Sequence, residues 1–125
     1  KKISLMSQLA ESSDLIVAEQ NNKIVGAIAY VGPNKLKSDF FKPEWAIIRM
    51  LVVSPEARNN GIGRTLTNMC EILAKKEKAK VLALHTSEIM EVALSMYLKI
   101  GFVLYSKAPD IHGVKYGVYS KAIDT

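Results

Sequence analysis

Cysteine is almost absent from this sequence, and so are long apolar runs. The single cysteine, Cys70, cannot form an intramolecular disulfide, which is typical of a reducing compartment and favours a cytoplasmic protein. No apolar run approaches the roughly 20 residues of a membrane span, so we expect no membrane partner. Residues 1–6 lack the pattern of a signal peptide, and the absence of an initiator Met is compatible with a trimmed or incomplete chain.

Histidine is scarce too. His85, His112 and Cys70 lie far apart without the spacing of metal ligands, so we expect no metal. A Ser-His-Asp or Cys-His nucleophile is not indicated either, because Cys70 falls on or beside the apolar stripe of a predicted helix.

The net charge is +5, and part of the excess lies in one run of lysines. Such a run is typical either of a surface that binds anions or nucleic acids or of a solvated helix end. No aromatic residues that could stack on bases are interleaved, so we favour the helix end and expect no nucleic acid partner. The lysines are Lys75, Lys76, Lys78 and Lys80.

The chain has 125 residues, 49% of them hydrophobic and 23% charged, which predicts one folded domain over residues 1–125. The predicted order of elements is helix, strand, strand, strand, helix, strand, helix, strand, strand. This order mixes hairpins with strand-helix-strand crossovers. It predicts an α/β (α+β) fold with a mixed, mostly antiparallel central sheet flanked by helices.

Apolar periodicity places these elements. Ile3, Met6, Leu9 and Ala10 have the spacing of an N-terminal helix. The predicted strands span residues 15–18, 24–31, 45–53, 81–84, 102–105 and 116–121. The first inner helix has the stripe Ile62, Leu66, Met69 and Leu73, and the second has Val92, Ala93, Met96, Tyr97 and Ile100. Thr86 or Ser87 is the expected cap of the second helix, Gly101 its terminator, and Pro109 and Asp110 are expected in a polar loop.

A glycine-rich segment joins the third strand to the first inner helix. Gly61 and Gly63 have no Cβ, so a ligand could approach the backbone closely. The first N–H groups of a helix have no internal partner and favour an anion, and Arg58 and Arg64 could add charge-assisted contacts. The pattern indicates a phosphate site, although a simple turn before a helix is an alternative. The dinucleotide and nucleoside-triphosphate fingerprints fit poorly, because Leu66 replaces a glycine and Arg64 a lysine.

Residues 51–63, Leu-Val-Val-Ser-Pro-Glu-Ala-Arg-Asn-Asn-Gly-Ile-Gly, resemble the acyl-CoA-binding signature of the GNAT superfamily of N-acetyltransferases. Residues 93–102, Ala-Leu-Ser-Met-Tyr-Leu-Lys-Ile-Gly-Phe, are similar to that family's Ala-x-x-x-Tyr-x-x-x-Gly-Phe block. Two blocks in the right order are more specific than either alone. There are two departures. This sequence begins too late to hold both the strand and the helix that usually come first, and Met90 stands where the family often has an Asn that helps to hold the cofactor.

The resemblance implies a GNAT-like acyl-CoA acyltransferase fold and an enzyme, an N-acetyltransferase that moves the acetyl group of acetyl-CoA directly to a primary amine. It also implies that the pantetheine arm pairs with the end of the fourth strand of the family's sheet, and that the helix start holds the pyrophosphate. The implied strand residues are Leu51, Val52 and Val53. The implied pyrophosphate residues are Arg58, Asn59, Asn60, Gly61, Ile62, Gly63 and Arg64.

For the chemistry, the resemblance implies Tyr97 as the general acid at the cofactor, although its place on an apolar stripe also suits a core aromatic. A base is needed because the amine must lose a proton. The interior of strand 45–53 holds no carboxylate, so the candidates are His85, at the end of the next strand, and Glu44, just before the strand. Bulk water is an equal alternative.

The acceptor is a small-molecule or peptide amine that the sequence does not specify: a polyamine, an antibiotic, an amino acid, or a protein N-terminus or lysine. Substrate choice is expected in loops 32–44 and 107–115. The first holds Phe40 and Phe41, which suit either a cover over a site or core packing. The second holds Asp110 and His112, where the family often lines its acceptor pocket. Arg49 interrupts an apolar strand and suits either a substrate carboxylate or a structural ion pair.

A protein that binds CoA without catalysis, as a sensor or an assembly module, is the alternative function. An incomplete N-terminal sheet edge would leave a strand unpaired, and a second subunit could cover it. We therefore also expect a homodimer.

Overall fold

A computed structural model of the chain describes residues 2–10, 13–58, 60–87 and 89–123, with side chains from residue 14 onward. Strands dominate this part of the chain, and two α-helices interrupt them in its second half. In chain order the elements are β1 (Lys2–Ala10), β2 (Ser13–Gln20), β3 (Lys23–Val31), β4 (Ala46–Val53), a 3-10 turn (Pro55–Ala57), α1 (Ile62–Lys76), β5 (Val81–Ser87), α2 (Glu91–Lys99), β6 (Val103–Ile111) and β7 (Val114–Ala122).

The strands form one sheet in the order β1-β2-β3-β4-β5-β7-β6. Strands β4 and β5 are parallel and are joined through α1, whereas the other neighbours are antiparallel. This confirms the predicted mixed, mostly antiparallel sheet. The β2–β3 hairpin turns at Asn21 and Asn22, whose φ angles of 53° and 64° are those of the two-residue turns that match strand twist.

The N-terminal segment is a strand, and the helix predicted from Ile3, Met6, Leu9 and Ala10 is wrong. β1 pairs antiparallel with β2, with Ile3 opposite Ala18 and Leu5 opposite Ile16. Without β1, the backbone groups of β2 would lack partners along one edge. Tertiary pairing therefore overrides a local helical spacing here.

The C-terminal strands are longer than predicted. Pro109 and Asp110 lie inside β6, not in a loop, and the turn is confined to His112 and Gly113, with φ angles of 50° and 78°. A proline is tolerated because β6 is the last strand of the sheet, where one side of the backbone needs no partner. The predicted loop 107–115 is thus mostly a hairpin.

The start of the second helix also differs from the prediction. Thr86 and Ser87 belong to β5 and cap nothing, because α2 begins at Glu91 with Met90 as a cap residue that makes no side-chain cap bond. Val92 is 83% exposed and does not join the buried stripe. At the other end Gly101 terminates the helix as predicted, with a φ of 111° and the Phe102 N–H donating to the Tyr97 carbonyl at 3.0 Å.

Each face of the sheet carries its own apolar cluster. Both helices pack on one face, in a cluster that includes Ile28, Ile48, Leu66, Leu84 and Tyr97. The second cluster joins Val31, Ile47, Ala83 and Val118 to Phe41, in loop 32–44, and to Trp45, which follows this loop. Because successive strand residues point to opposite faces, Ile47 and Ile48 serve different clusters. Among the described helices none is long and apolar enough to span a bilayer.

Candidate active site

A gap opens in the sheet between β4 and β5. The two strands pair at only three positions, Ala46–Leu82, Ile47–Ala83 and Ile48–Leu84. Beyond them β4 continues to Val53 on the side of β3, and β5 continues to Ser87 on the side of β7. The inner edges of both strands therefore lack a strand partner in the described part of the chain.

A β-bulge at Arg49 lies where the strands separate. Across the β3–β4 pair, Ala29 faces Met50 and Tyr30 faces Ile48, which leaves Arg49 as an extra residue. A bulge bends its strand and increases the local twist. We infer that this bend directs the end of β4 away from β5. Leu51, Val52 and Val53, the predicted partners of a pantetheine arm, lie on the separated part.

Helix α1 begins beside the end of β4. Gly61 is its cap residue with a φ of 76°, and no side chain caps the helix. Thr65 donates from both its N–H and its hydroxyl to the Gly61 carbonyl, each at 2.9 Å, so the first helical turn is closed. The N–H groups of Ile62, Gly63 and Arg64 precede the first internal bond and are free to receive an anion.

Space for a ligand is present at this helix start. A Cβ built on Gly61 would meet nothing within 4 Å, and one on Gly63 would meet only ordinary contacts with Leu51, Met96 and Val53 at 3.5–3.8 Å. Arg58, Asn60 and Arg64 are exposed around it. The predicted contact Asn59 lies outside the described residues.

Tyr97 lies on the helical face of the sheet. It is buried, with its ring 5.5 Å from that of Phe102, and its hydroxyl makes no hydrogen bond to any described residue. Burial, with a smaller contribution from nearby Cys70, raises the pKa of Tyr97 well above its usual range. The phenol is therefore protonated at neutral pH.

His85 lies on the opposite face, surrounded by aromatic rings. The centroids of Phe40, Phe41 and Tyr116 are 5.0, 6.4 and 5.1 Å from that of the imidazole. Burial lowers the pKa of His85 below its usual value, because the low-polarity surroundings disfavour the cation. The imidazole is therefore neutral at pH 7 and able to accept a proton.

A cavity of about 490 Å³ adjoins His85. Loop 32–44 forms one wall through Leu36, Lys37, Ser38 and Phe41, and the strands form the other through Ile47, Ile48, Arg49 and His85. The Lys37 ammonium closes this loop by donating to the carbonyls of Gly32, Lys35 and Pro43 at 2.7–3.0 Å.

The remaining predicted residues are not brought into this cavity. Glu44 precedes β4, at the end of the strand away from the gap, and is exposed. His112 is exposed at the β6–β7 turn. Asp110 lines a separate cavity of about 370 Å³ with Thr86, Lys107 and Lys115. No group of three His, Cys, Asp or Glu residues that could hold a metal occurs among the described residues.

Sequence reasoning missed two contributors. Tyr116 reaches His85 because β7 inserts between β5 and β6, and register then puts Tyr116 opposite Ser87 and Val118 opposite His85. No local pattern indicates that insertion. In the sequence Lys37 is only one charge in a polar loop, and no local pattern indicates that three backbone carbonyls accept from its ammonium.

The model of the Acetyltransferase (GNAT) family matches residues 3–102 of the chain. This match contains both the glycine-rich segment and Tyr97. No curated protein matches.

Solved structures share the fold. Nourseothricin acetyltransferase is 20% identical with a TM-score of 0.75, over 90% of this chain and 66% of its own. A GNAT family acetyltransferase from Elizabethkingia anophelis with acetyl-CoA bound is 18% identical with a TM-score of 0.75, over 97% of both chains. Naa20 from Chaetomium thermophilum, in complex with a bisubstrate analogue, is 26% identical with a TM-score of 0.73, over 87% of this chain and 65% of its own. The chain thus spans about two thirds of two of these relatives, and it belongs to the acetyltransferase (GNAT) family.

Proposed function

We propose that the protein is an N-acetyltransferase that moves the acetyl group of acetyl-CoA directly to a primary amine. The observation that carries the proposal is the gap between β4 and β5, which is bordered by the start of α1 beside the end of β4 and by His85 beyond the last paired position of β5. Membership of the family supports the same donor.

The donor site follows from the two elements that border the gap. The unpaired edge of β4 at Leu51, Val52 and Val53 offers backbone groups to the amides of a pantetheine arm, as in strand addition. The α1 start at Gly61, Ile62 and Gly63 offers N–H groups to the pyrophosphate, with charge-assisted contacts from Arg58, Asn59, Asn60 and Arg64. When bound there, acetyl-CoA supplies the thioester whose carbonyl carbon receives the amine.

Proton transfers can run across the gap. Since His85 and Tyr97 lie on opposite faces of the sheet, the amine can enter on the His85 side while the sulfur leaves on the Tyr97 side. His85 takes the proton that the amine must lose, and Tyr97 gives its proton to the leaving thiolate as the carbon–sulfur bond breaks. Glu44 and a water chain are the alternative bases. Glu44 lies at the end of β4 away from the gap, so its carboxylate would have to take the proton from a distance.

Binding of CoA without catalysis is the second function. It is favoured by two observations: the interior of β4 carries no carboxylate, and Met90, not a polar residue, precedes α2. This reading predicts CoA affinity and no turnover.

One pair of measurements separates these functions. Calorimetric titration with CoA measures donor binding, and thiol release from acetyl-CoA with a panel of polyamines, amino acids, aminoglycosides and peptides measures transfer. We expect micromolar binding and amine-dependent thiol release. The absence of CoA binding would overturn both functions, whereas binding without release on every amine would leave the second.

We further propose a homodimer in the cytoplasm. The expected unpaired strand at the N-terminal edge is not found at β2, because β1 pairs with it. The edge strands of the described sheet are β1 and β6, and on β6 the side chains of Val103, Leu104 and Tyr105 are 50–61% exposed and could face a second subunit. Light scattering should give twice the chain mass of 13.8 kDa, and a single-chain mass would remove this proposal.

A further inference from the structure

The cavity beside His85 carries positive charge and no carboxylate. Lys37 and Arg49 are the charged residues that line it. The acidic side chain that acts on Lys37 is Glu44, which lies outside the lining. Arg49 is exposed and Lys37 half-buried, and a cation at the wall of a partly enclosed cavity attracts an anion more strongly than one in open solvent.

The two cations differ in what their donors do. The Lys37 ammonium has three N–H groups, and three backbone carbonyls accept from it. Lys37 therefore holds the loop and has no donor left for a ligand. Arg49 has five N–H groups and makes no hydrogen bond, ion pair or ring contact with any described residue. The structural ion pair that the sequence left open is thus absent from the described residues.

Arg49 and His85 line the same cavity, each one residue beyond the last β4–β5 pair. Ile47 lies opposite Ala83, and two residues further along both strands come Arg49 and His85. Ile47 and Ala83 point to the face covered by loop 32–44, and alternation along each strand directs His85 to the same face. Arg49, displaced by the bulge, lines the same cavity. A single small molecule can therefore contact both side chains.

We propose that Arg49 binds the anionic group of the acceptor, so that the acceptor is an amine that also carries a carboxylate or a comparable anion. This inference rests on the proposed function. The planar guanidinium suits a carboxylate through two parallel hydrogen bonds. The anion is held at Arg49 while the amine lies at His85, and the apolar lining residues Leu36, Phe41 and Ile47 accommodate the apolar part of the acceptor.

The test compares matched acceptors that differ in one charge. The ω-amino acids from glycine to 6-aminohexanoate, and phenylalanine, are each assayed beside their carboxamides by thiol release. We expect kcat/KM to favour at least one acid over its amide by about 10- to 100-fold, the range of a hydrogen-bonded charge. The chain length of the best acid reports the spacing between anion site and acetyl group.

Variants assign the preference to Arg49. R49M should abolish it, R49K should retain part of it, and the calorimetric affinity for CoA should stay that of the wild type. K76M is the matched control, because it removes one exposed cation at the far end of α1 and should leave the preference intact. Equal rates for acids and amides in the wild type, or a preference that survives R49M, would overturn the inference.

A failure of the proposed function is distinguishable. If CoA binds but no amine is acetylated, the same acid and amide pairs are titrated into the CoA complex by calorimetry. Selective binding of acids that R49M removes would support the anion site without catalysis, and equal or absent binding of both would reject it.

Discussion

The Tyr97 hydroxyl lies in an apolar cluster and makes no hydrogen bond there. Replacing it by hydrogen should therefore cost the fold little, while catalysis would lose the proton donor. For Tyr97→Phe we expect kcat at saturating acetyl-CoA to fall by about 10²- to 10⁴-fold, with Tm nearly unchanged. Tyr105→Phe, on the exposed part of β6, is the control and should keep full activity. Full turnover by Tyr97→Phe would show that Tyr97 is only a core aromatic.

The neutral imidazole of His85 predicts a particular pH profile. Because burial lowers its pKa below the ordinary value of about 6.5, the active neutral form persists to lower pH than for an exposed histidine. We expect kcat/KM to be constant above about pH 6.5 and to fall as pH drops through the His85 pKa. His85→Gln should lower the rate and remove this acidic limb, whereas His112→Gln, in the exposed turn, should leave it unchanged.

The same group gives a stability prediction of the same sign. The unfolded chain binds a proton at His85 more readily than the folded chain does, so this contribution to stability is complete above about pH 6.5. It is lost as pH falls from there toward the folded pKa, and His85→Gln should lack that loss in urea titrations. A pH–rate profile identical in His85→Gln and wild type would exclude His85 as the base and leave Glu44 or water.

At the scale of elements, two glycines differ in the space around them: Gly63 at the start of α1 and Gly26 in β3. A methyl on Gly63 would make only ordinary contacts, at 3.5 Å from Leu51 and Met96, whereas one on Gly26 would lie 2.9 Å from Ile62 and 3.3 Å from the Val52 carbonyl. Gly63→Ala should therefore keep or raise Tm, since alanine favours helix, and should weaken CoA binding at least tenfold. Gly26→Ala should lower Tm, because its methyl meets a buried side chain and backbone.

Calorimetry with CoA, paired with thermal unfolding of each variant, checks this contrast. Wild-type affinity in Gly63→Ala would mean that no ligand approaches the backbone there, and the phosphate site would have to lie elsewhere.

Local sequence pattern predicts the elements whose tertiary environment favours the same structure. The apolar stripe of α1 is periodic and packs on the sheet, and the apolar run of β4 begins with three buried residues, so local pattern and tertiary environment agree there. β1 and the second half of β6 are edge segments whose state is set by a neighbour, β2 or β7, that no local pattern identifies. For the same reason Gly61 and Tyr97 could be singled out from motifs, whereas Tyr116 and the hydrogen bonds of Lys37 could not.

On the scale of the whole molecule, the sheet consists of two groups of strands that pair with each other only through β4 and β5. The β1–β4 group and the β5–β7 group share only three paired positions in the described sheet, and both helices pack on one face. A ligand that contacts β4 and α1 inside this gap adds contacts that the unfolded chain cannot make. Ligand binding therefore has to raise the free energy of unfolding.

At 100 times its Kd, CoA should stabilise the fold by about 2.7 kcal/mol, which corresponds to a Tm increase of roughly 10 °C for a chain of this size. Pantetheine, which lacks the pyrophosphate, should give a much smaller shift at equal concentration. The double variant Arg58→Gln, Arg64→Gln should reduce the CoA shift but not the pantetheine shift, because only the former ligand meets those charges. If CoA and pantetheine shifted Tm equally, the start of α1 would not be the pyrophosphate site, however well its geometry suits one.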